Sequence, residues 1–403
     1  MRRASRGVGV TVIALALAAA ASPASADAGA RKAKKGKPAQ DEGAPEAPTD
    51  EPAGFAGWGD GEEEGPSGSE PLSIAGRVFA RAVASSVESE PWRGEVQLDS
   101  ARLGVNYRWK DRVRTKVSFE AAGGEVEVRD AFVEVAASRC VRVRAGRFKL
   151  PVSAVELASA WQLPTIDRGQ VAEVLEDGLT LTGRRDAVQV RWEPVARARV
   201  TVAVSQSVST AGADPSRPLA DGAGLAATVR GELDVVAGVR VGAVASTREV
   251  IDGATARRYP AAALDLELDL DDAKVRGLAR GLRLWADVVV GQSHLGAVTA
   301  GRERTSFVAT HAAAGWRAGG RKKGKPYVEP YILGGLINPS LARKRDDVSE
   351  VIAGVAAGRW KRWRAQAQLS VVTARGLRPA GLRGAQRDLD DELRATVQLG
   401  AAF

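Results

Sequence analysis

From residue 71 onward, apolar and polar residues alternate along most of the chain. In the stretch LDLELDL, which ends at Leu270, four leucines alternate with Asp265, Glu267 and Asp269. Because successive side chains of a β-strand point to opposite faces, this period of two predicts strands with one apolar and one polar face. About sixteen such segments follow one another, each near the 9–11 residues that a tilted strand needs to cross a bilayer.

Short and long connections alternate between these segments. The joints YRWKDR and GRWKRW are tight, whereas 209–222, 293–302 and 374–389 are long and rich in Gly, Pro and charged residues. Outer-membrane barrels have short periplasmic turns and long external loops, so the pattern predicts an all-β, transmembrane antiparallel β-barrel. Two joints, near 271–280 and 318–325, are longer than this alternation predicts.

Tryptophans fall at the short joints. An indole ring is amphipathic and suits the headgroup level of a membrane. The positions predict an aromatic girdle at the periplasmic rim, formed by Trp109, Trp192, Trp316, Trp360 and Trp363.

One strand segment, VEVRDAFVEV, slips out of phase near Asp130. A β-bulge inserts one extra residue into one strand of a pair and shifts the alternation by one position. The slip therefore predicts a bulge near Asp130.

The last stretch, LRATVQLGAAF, is apolar at every second residue counted back from Phe403. We expect these residues to face lipid, and Arg394, Thr396 and Gln398 to face the lumen. Because an unpaired edge is not tolerated in lipid, this strand must pair with the first strand, near 73–82. A last strand ending in Phe resembles the signal that the barrel-assembly machinery reads, which makes Phe403 the predicted assembly signal.

Composition divides the chain into three parts. Residues 1–26 have the basic start, apolar run and small-residue exit of a secretory signal peptide. Residues 27–70 are rich in Pro, Gly and charge, which predicts a disordered periplasmic tail. Residues 71–403 are the predicted outer-membrane β-barrel domain, with a net charge of roughly +12, compared with +9 for the whole chain.

A soluble β-sandwich would also alternate with a period of two. The exported chain has one cysteine, so it cannot form an intramolecular disulfide. A domain of ~330 residues would also be large for a single sandwich core. Both points favour the membrane barrel.

Residues 129–168 resemble the phosphate-selective porin O and P family. The similar motifs are a strand with Asp-Ala-aromatic-Val, an Arg-rich strand that runs into Gly-x-Phe-Lys-x-Pro, and a loop that closes on Leu-Pro and an acidic-Arg pair. The matching residues are Asp130, Ala131, Phe132, Val133, Glu134, Arg144, Gly146, Phe148, Lys149, Pro151, Leu163, Pro164, Asp167 and Arg168, with Arg185 and Asp186 in the next strand. Val135, Arg147 and Val152 depart from the family pattern.

The resemblance implies an outer-membrane porin whose long loop, 151–185, follows the fifth strand and folds into the lumen. Such a loop narrows the bore and sets its field. Its predicted constriction residues are Glu156, Asp167 and Arg168. A loop packed over the outer rim is the alternative. The resemblance also implies a homotrimer. As partners we expect outer-membrane lipid, the barrel-assembly machinery and small anionic solutes, and no nucleic acid.

Arginines dominate the charges expected on the inward faces. Guanidinium groups pair well with phosphate or carboxylate because their planar fork bonds two oxygens at once. We expect passive diffusion of small anionic, phosphate-like solutes past Arg112, Arg114, Lys116, Arg142, Arg144, Arg197, Arg199, Arg240, Arg283, Arg364 and Arg394. The alternative is that these bases only line a wet lumen and pair with Glu120, Asp265, Glu267, Asp269 and Asp287.

Two other classes of barrel remain open. A barrel-type hydrolase needs a base that is oriented by a third group, and the chain has two histidines, His294 and His311, with no Ser motif beside them. A non-conducting structural barrel with a filled lumen is the other alternative. Scattered His and Cys residues predict no metal site, and we expect no cofactor and no enzymatic activity.

Overall fold

The computed structural model describes ten segments of the chain. They are residues 71–87, 91–110, 112–207, 224–252, 255–270, 280–293, 305–319, 324–342, 347–374 and 391–403. The predicted signal peptide, the predicted tail and His294 lie outside the described residues.

The described residues form strands joined by turns and one long internal loop. The strands are β1 Leu72–Val87, β2 Arg93–Trp109, β3 Val113–Ala122, β4 Glu125–Ala136, β5 Val141–Lys149, β6 Arg184–Val195, β7 Ala198–Gln206, β8 Leu225–Val236, β9 Val239–Asp252, β10 Thr255–Asp269, β11 Leu282–Ser293, β12 Thr305–Trp316, β13 Ala318–Gly319, β14 Pro326–Asn338, β15 Val348–Arg359, β16 Trp363–Ala374 and β17 Glu392–Ala402. Between β5 and β6 lie two short helices, α1 Ala154–Leu157 and α2 Gln170–Glu173, and a π-helical turn, Val174–Gly178. A search of the described residues for an apolar helix of membrane-spanning length finds none.

All strand pairs are antiparallel, and the sheet closes on itself. β1 pairs with β2 on one side and with β17 on the other, so the strand order forms a ring. β12 and β13 are separated only by Arg317 and pair with the same strand, β14, so together they occupy one position in the wall. The wall therefore has the predicted sixteen positions.

The exposed and buried faces are the reverse of those in a soluble protein. On β3, Val117 and Phe119 are 40% and 44% exposed, whereas Arg114 and Glu120 are 8% and 5% exposed. Large apolar side chains on the outside and charged ones on the inside are typical of a lipid-facing barrel with a polar interior. This pattern contradicts a soluble sandwich, which would bury the apolar face.

The closing strand has the predicted register and faces. Its pairing with β1 runs from Arg77 opposite Ala402 to Val87 opposite Glu392. Leu393 and Leu399 are exposed, whereas Thr396 and Gln398 are buried. Two backbone hydrogen bonds between Gly76 and Phe403, of 3.3 and 3.1 Å, continue the ladder.

Two phenylalanine–glycine pairs lie across this seam. The Phe79 ring occupies the space that a side chain at Gly400, directly opposite on β17, would need. On the other face, the Phe403 ring occupies the space beside Gly76. An aromatic ring that covers a cross-strand glycine restores packing that the glycine lacks and helps to fix the register.

The predicted bulge is confirmed. Ser118 pairs with Asp130, but the next pair is Phe119 with Val128, so Arg129 is the extra residue. A second bulge lies in β2, where Asp99 is extra between the pairs Phe79–Ser100 and Ala80–Leu98.

Four of the five tryptophans predicted for the girdle, Trp109, Trp192, Trp316 and Trp363, are exposed. The prediction for Trp360 is wrong. Trp360 is buried, its ring lies 5.9 Å from that of Tyr327, and the Arg317 guanidinium lies 4.1 Å from its centre. It stands one position beyond the outward-facing Arg359 and therefore points into the barrel.

We predict that Gly400→Val destabilises the barrel by about 1–3 kcal/mol, because the valine would overpack against Phe79. Phe79 cannot move aside, since it is buried and its ring lies 5.9 Å from that of Trp161. The measurement is the urea midpoint of unfolding in detergent. Gly231→Val is the matched control, because a Cβ atom added there meets no atom within 4 Å. Equal midpoints for both variants would contradict the packing account.

Candidate functional site: the lumen and its internal loop

Residues 150–183, here called the lumen loop, leave the wall after β5 and cross the inside of the barrel. Side chains of the far wall donate to backbone carbonyls of the loop. Arg283 Nη2 donates to Gln162 O at 2.5 Å, and Arg364 donates to Leu163 O at 3.1 Å and to Ala160 O at 2.7 Å. These contacts place the loop inside the lumen, as predicted, and not over the outer rim.

Buried acids of the wall also anchor the loop, and in these contacts the wall side chains accept hydrogen bonds from the loop. Glu350 accepts from the backbone N–H groups of Gln170 at 2.7 Å and Val171 at 3.2 Å, at the start of α2. Gly169, with φ of +84°, has the Glu350 carboxylate where a side chain would stand, so glycine is required there. Ser153 Oγ donates to Asp287 Oδ2 at 2.5 Å, next to α1.

Apolar packing fills much of the interior around the loop. A buried cluster joins loop residues such as Leu175 and Leu179 to inward-facing residues such as Val289 and Phe307. A second cluster, around Tyr327, Tyr331 and Trp360, lies on β14 and β15 and just beyond. These clusters leave little room for water along the part of the lumen that they occupy.

A cavity of about 180 Å³ lies between the lumen loop, strands β1–β4, the end of β5 and the start of β6. We call it the loop cavity. This volume is enough for several water molecules or for a small hydrated anion, since a single water needs only ~10–15 Å³ on the same measure. Its lining has seven basic and four acidic side chains, a net charge of +3: Arg77, Arg102, Lys116, Arg129, Lys149, Arg168 and Arg184 against Glu120, Asp130, Glu156 and Glu176.

Three arginines surround Glu120. Arg102 Nη2 lies 3.0 Å from Glu120 Oε2, Arg77 Nη2 lies 3.6 Å from Oε1, and Arg129 Nε also contacts Oε2. Arg102 stands directly opposite Glu120 across the β2–β3 pair. One carboxylate therefore contacts three guanidinium groups from three strands.

Asp130 is the second acid of the loop-cavity wall. Arg184 Nε lies 2.8 Å from its Oδ1 and Lys116 Nζ lies 3.4 Å from its Oδ2. Ser118 Oγ also donates to Asp130 Oδ2 at 3.0 Å. Because the bulge inserts Arg129, that residue and Asp130 are consecutive and yet both line the cavity.

The loop side of the cavity carries Lys149, Glu156 and Arg168. Lys149 Nζ donates to Ala158 O at 3.3 Å and to Glu156 O, and Arg168 Nη2 donates to Ala158 O at 2.7 Å. Burial raises the pKa of the Glu156 carboxyl, and the nearby charges of Arg168 and Lys149 offset part of that rise. The two bases thus hold the loop backbone as well as adding charge to the cavity.

The predicted pore-lining bases and two of the predicted constriction residues divide into three groups. Lys116, Glu156 and Arg168 line the loop cavity. Arg112 and Arg197 are exposed in the turns before β3 and β7, because each strand begins one residue later. The remaining predicted bases lie on the inner face of the wall but outside the cavity lining: Arg114, Arg142, Arg144, Arg199, Arg240, Arg283, Arg364 and Arg394.

Many of these other bases pair with acids. Arg144 lies 2.9 Å from Glu134, Arg283 lies 2.8 Å from Glu329, and Arg394 lies 2.8 Å from Glu392. Arg199 and Arg240 both contact Asp234, at 2.9 and 2.7 Å.

Of the five acids in the pairing alternative, Glu120 contacts arginines of the cavity and Asp287 accepts from Ser153 Oγ, whereas the other three pair with arginines of the wall. Asp265 pairs with Arg230 at 2.6 Å, Glu267 with Arg240 at 3.2 Å, and Asp269 with Arg283 at 3.4 Å. The predicted constriction residue Asp167 pairs with Arg81 at 2.9 Å. The pairing alternative thus describes most of the wall outside the loop cavity.

Five bases of the cavity were not among the predicted lining residues: Arg77, Arg102, Arg129, Lys149 and Arg184. Sequence features could have identified three of them. Lys149 lies in a motif that carries the family resemblance, and Arg77 and Arg102 stand at inward positions of the two-residue period of their strands. The predicted bulge indicates that Arg129 can line the cavity, because an extra residue before Asp130 brings the side chains of Arg129 and Asp130 to the same face.

His311 lies near two residues that could suggest hydrolytic chemistry. It stands opposite Asp287 across the β11–β12 pair, and Ser153 bonds to that Asp287. In a nucleophilic triad the serine must contact the histidine, whereas here it donates directly to the carboxylate. The expectation that the protein is not an enzyme stays a prediction. Among the described residues, no group of His, Cys, Asp and Glu side chains is placed to hold a metal ion.

The family model of phosphate-selective porins O and P matches residues 84–289, just over half of the chain. The protein belongs to this family. The family and the closed barrel together show that the protein is a porin, a channel of the outer membrane. No curated protein matches the chain.

Solved porins share the fold at low sequence identity. The anion-selective porin from Comamonas acidovorans is 12% identical with a TM-score of 0.54, over 82% of this chain and 99% of that chain. Salmonella typhi OmpF in complex with daunomycin is 15% identical with a TM-score of 0.56, over 86% of this chain and 99% of that chain. The trimer form of Vibrio cholerae OmpT is 12% identical with a TM-score of 0.50, over 83% of this chain and 100% of that chain.

We predict that Glu350→Gln loosens the lumen loop at the start of α2, because a side-chain amide cannot accept from both N–H groups as a carboxylate does. Loss of a buried charged hydrogen bond of about 1.5–3 kcal/mol should lower hydrogen-exchange protection of Gln170 and Val171 by roughly 10- to 100-fold. Hydrogen-exchange mass spectrometry of the detergent-solubilised barrel is the measurement. Asp177→Asn, at an exposed position on the same loop, is the control. Unchanged protection in Glu350→Gln would show that the apolar packing alone holds the loop.

Proposed function

We propose that this porin conducts small anions in preference to cations, by passive diffusion through the loop cavity. The observation that carries the proposal is the excess of basic over acidic side chains, seven against four, on the lining of that cavity. A basic wall in a confined aqueous space raises the local concentration of anions and lowers that of cations. Contacts of the lumen loop with Arg364 and Glu350 of the wall support a narrowing of the bore by this loop.

The solute class is that of small oxyanions such as phosphate. Five of the seven basic side chains are arginines, whose planar forks fit two oxygens of one anion. The name of the family, and the anion selectivity in the name of the Comamonas porin, support this class.

The assembled form is a homotrimer in the outer membrane, where the apolar outer face contacts lipid. The exposed valines, leucines and tryptophans on the outside of the wall support the lipid contact. The trimer form of the Vibrio cholerae protein supports the oligomeric state. Export through residues 1–26, and reading of Phe403 by the barrel-assembly machinery, stay predictions.

A non-conducting structural barrel is the second candidate. The extensive apolar packing between the lumen loop and the wall favours it. Single-channel recording in a planar bilayer separates the two, because a filled barrel gives no discrete conductance steps.

We predict a reversal potential of anionic sign when the full chain is recorded in a KCl gradient. The double variant Arg102→Gln/Lys116→Gln should lower the anion-to-cation permeability ratio several-fold, since a unit charge ~4 Å from the permeating ion contributes about 1 kcal/mol even in water. Arg139→Gln, in the exposed turn between β4 and β5, is the control with little expected effect. Cation selectivity of the unmodified channel would refute the proposed anion preference.

A further inference from the structure

Glu120 is placed unlike the other ion-paired acids of the wall. It lies on β3, is 5% exposed, and lines the loop cavity at a point where β1, β2 and β4 each contribute an arginine to it. Arg102 and Arg129 share one of its oxygens, and Arg77 lies 3.6 Å from the other. Three fixed cations thus face one fixed anion inside the conduction path.

Three guanidinium groups held this close repel one another strongly unless a negative charge lies between them. A permeating anion that enters the loop cavity would supply that charge, and Glu120 already supplies it. The carboxylate and the solute therefore compete for the same N–H groups.

We propose that Glu120 is an internal counter-ion that weakens anion binding in the loop cavity, so that solutes pass through rather than remain bound. Conduction needs a site that attracts an ion strongly enough for entry and weakly enough for exit. As an anion arrives, the guanidinium forks exchange Glu120 for the solute, and they return to Glu120 as the solute leaves. Arg102 Nε, buried and without a hydrogen-bond partner among the described residues, leaves a donor for this exchange.

Asp130 does not fit this role as well. Its carboxylate also accepts from Ser118 Oγ at 3.0 Å, and its backbone N–H donates to that same hydroxyl at 3.1 Å. These bonds tie Asp130 to the structure of the bulge. Glu120 has a longer side chain, and among the described residues its carboxylate forms ion pairs with three arginines of the cavity.

The inference rests on the proposed anion conduction and adds a role for one residue. The test is single-channel conductance of the full chain against phosphate concentration, from millimolar to molar. In Glu120→Gln, the half-saturating concentration should fall by about threefold to tenfold, the effect of a unit charge a few ångströms away. The maximal conductance should fall as well, because the bound anion leaves more slowly.

Glu127→Gln is the matched control. Glu127 is 57% side-chain exposed and lies 3.5 Å from Arg129, so this variant removes the same charge close by but outside the arginine cluster. Its half-saturating concentration should change less than twofold. The double variant Arg102→Gln/Glu120→Gln should return the half-saturating concentration toward the unmodified value, which a merely structural role of Glu120 would not produce.

The outcomes separate this inference from the proposed function. Cation selectivity of the unmodified channel refutes both. Anion selectivity with an unchanged half-saturating concentration in Glu120→Gln overturns the counter-ion role alone. If Glu120→Gln does not fold, Arg129→Gln tests the same idea from the other side, with a half-saturating concentration expected to rise severalfold. No change in Arg129→Gln would then overturn the role.

Discussion

The hydrocarbon interior of a membrane offers no hydrogen-bond partner to a peptide group, and the architecture of this porin follows from that. An N–H or C=O group left unpaired in lipid costs several kcal/mol, so a sheet that crosses the membrane must have no free edge. Here β1 and β17 meet along a continuous ladder, which continues through two backbone bonds between Gly76 and Phe403. Closure fixes which residues point outward at every strand, because a slip of one position would turn arginines toward lipid.

Closure then creates a second problem inside the barrel. The inward faces carry charged and polar groups that are removed from bulk water and need partners. Much of the wall meets this need through cross-strand ion pairs, such as Arg144 with Glu134. The lumen loop meets more of it, since its backbone carbonyls accept from Arg283 and Arg364 and its N–H groups donate to Glu350. On the lining of the loop cavity, bases outnumber acids, and under the proposed anion conduction the solute would supply the missing charge.

The alternating pattern predicts the strands, the closing register and the bulge near Asp130. These features depend on residues close together in sequence and on the two-residue period of a β-strand. The pattern does not predict which charges meet. Arg102 lies opposite Glu120 only because of the exact β2–β3 register, and Arg364 reaches Leu163 across about half of the chain. Such contacts depend on the closed barrel, and the sequence around each residue gives no pattern that predicts them. The burial of Trp360 is a local example of what the pattern does not predict. In a turn, a shift of one residue decides whether a side chain faces lipid or the lumen.

The contacts of the lumen loop also determine when, during folding, the loop can dock. The loop leaves the wall after β5, yet it contacts Phe79 and Arg81 on β1 and Arg364 on β16. These strands lie near opposite ends of the chain and become close neighbours, on either side of β17, only when the cylinder closes. The docking surface of the loop is therefore completed by the last pairing of the sheet, and contacts of such long sequence separation form late. Until β1 and β17 pair, the barrel therefore lacks part of the surface on which the loop docks.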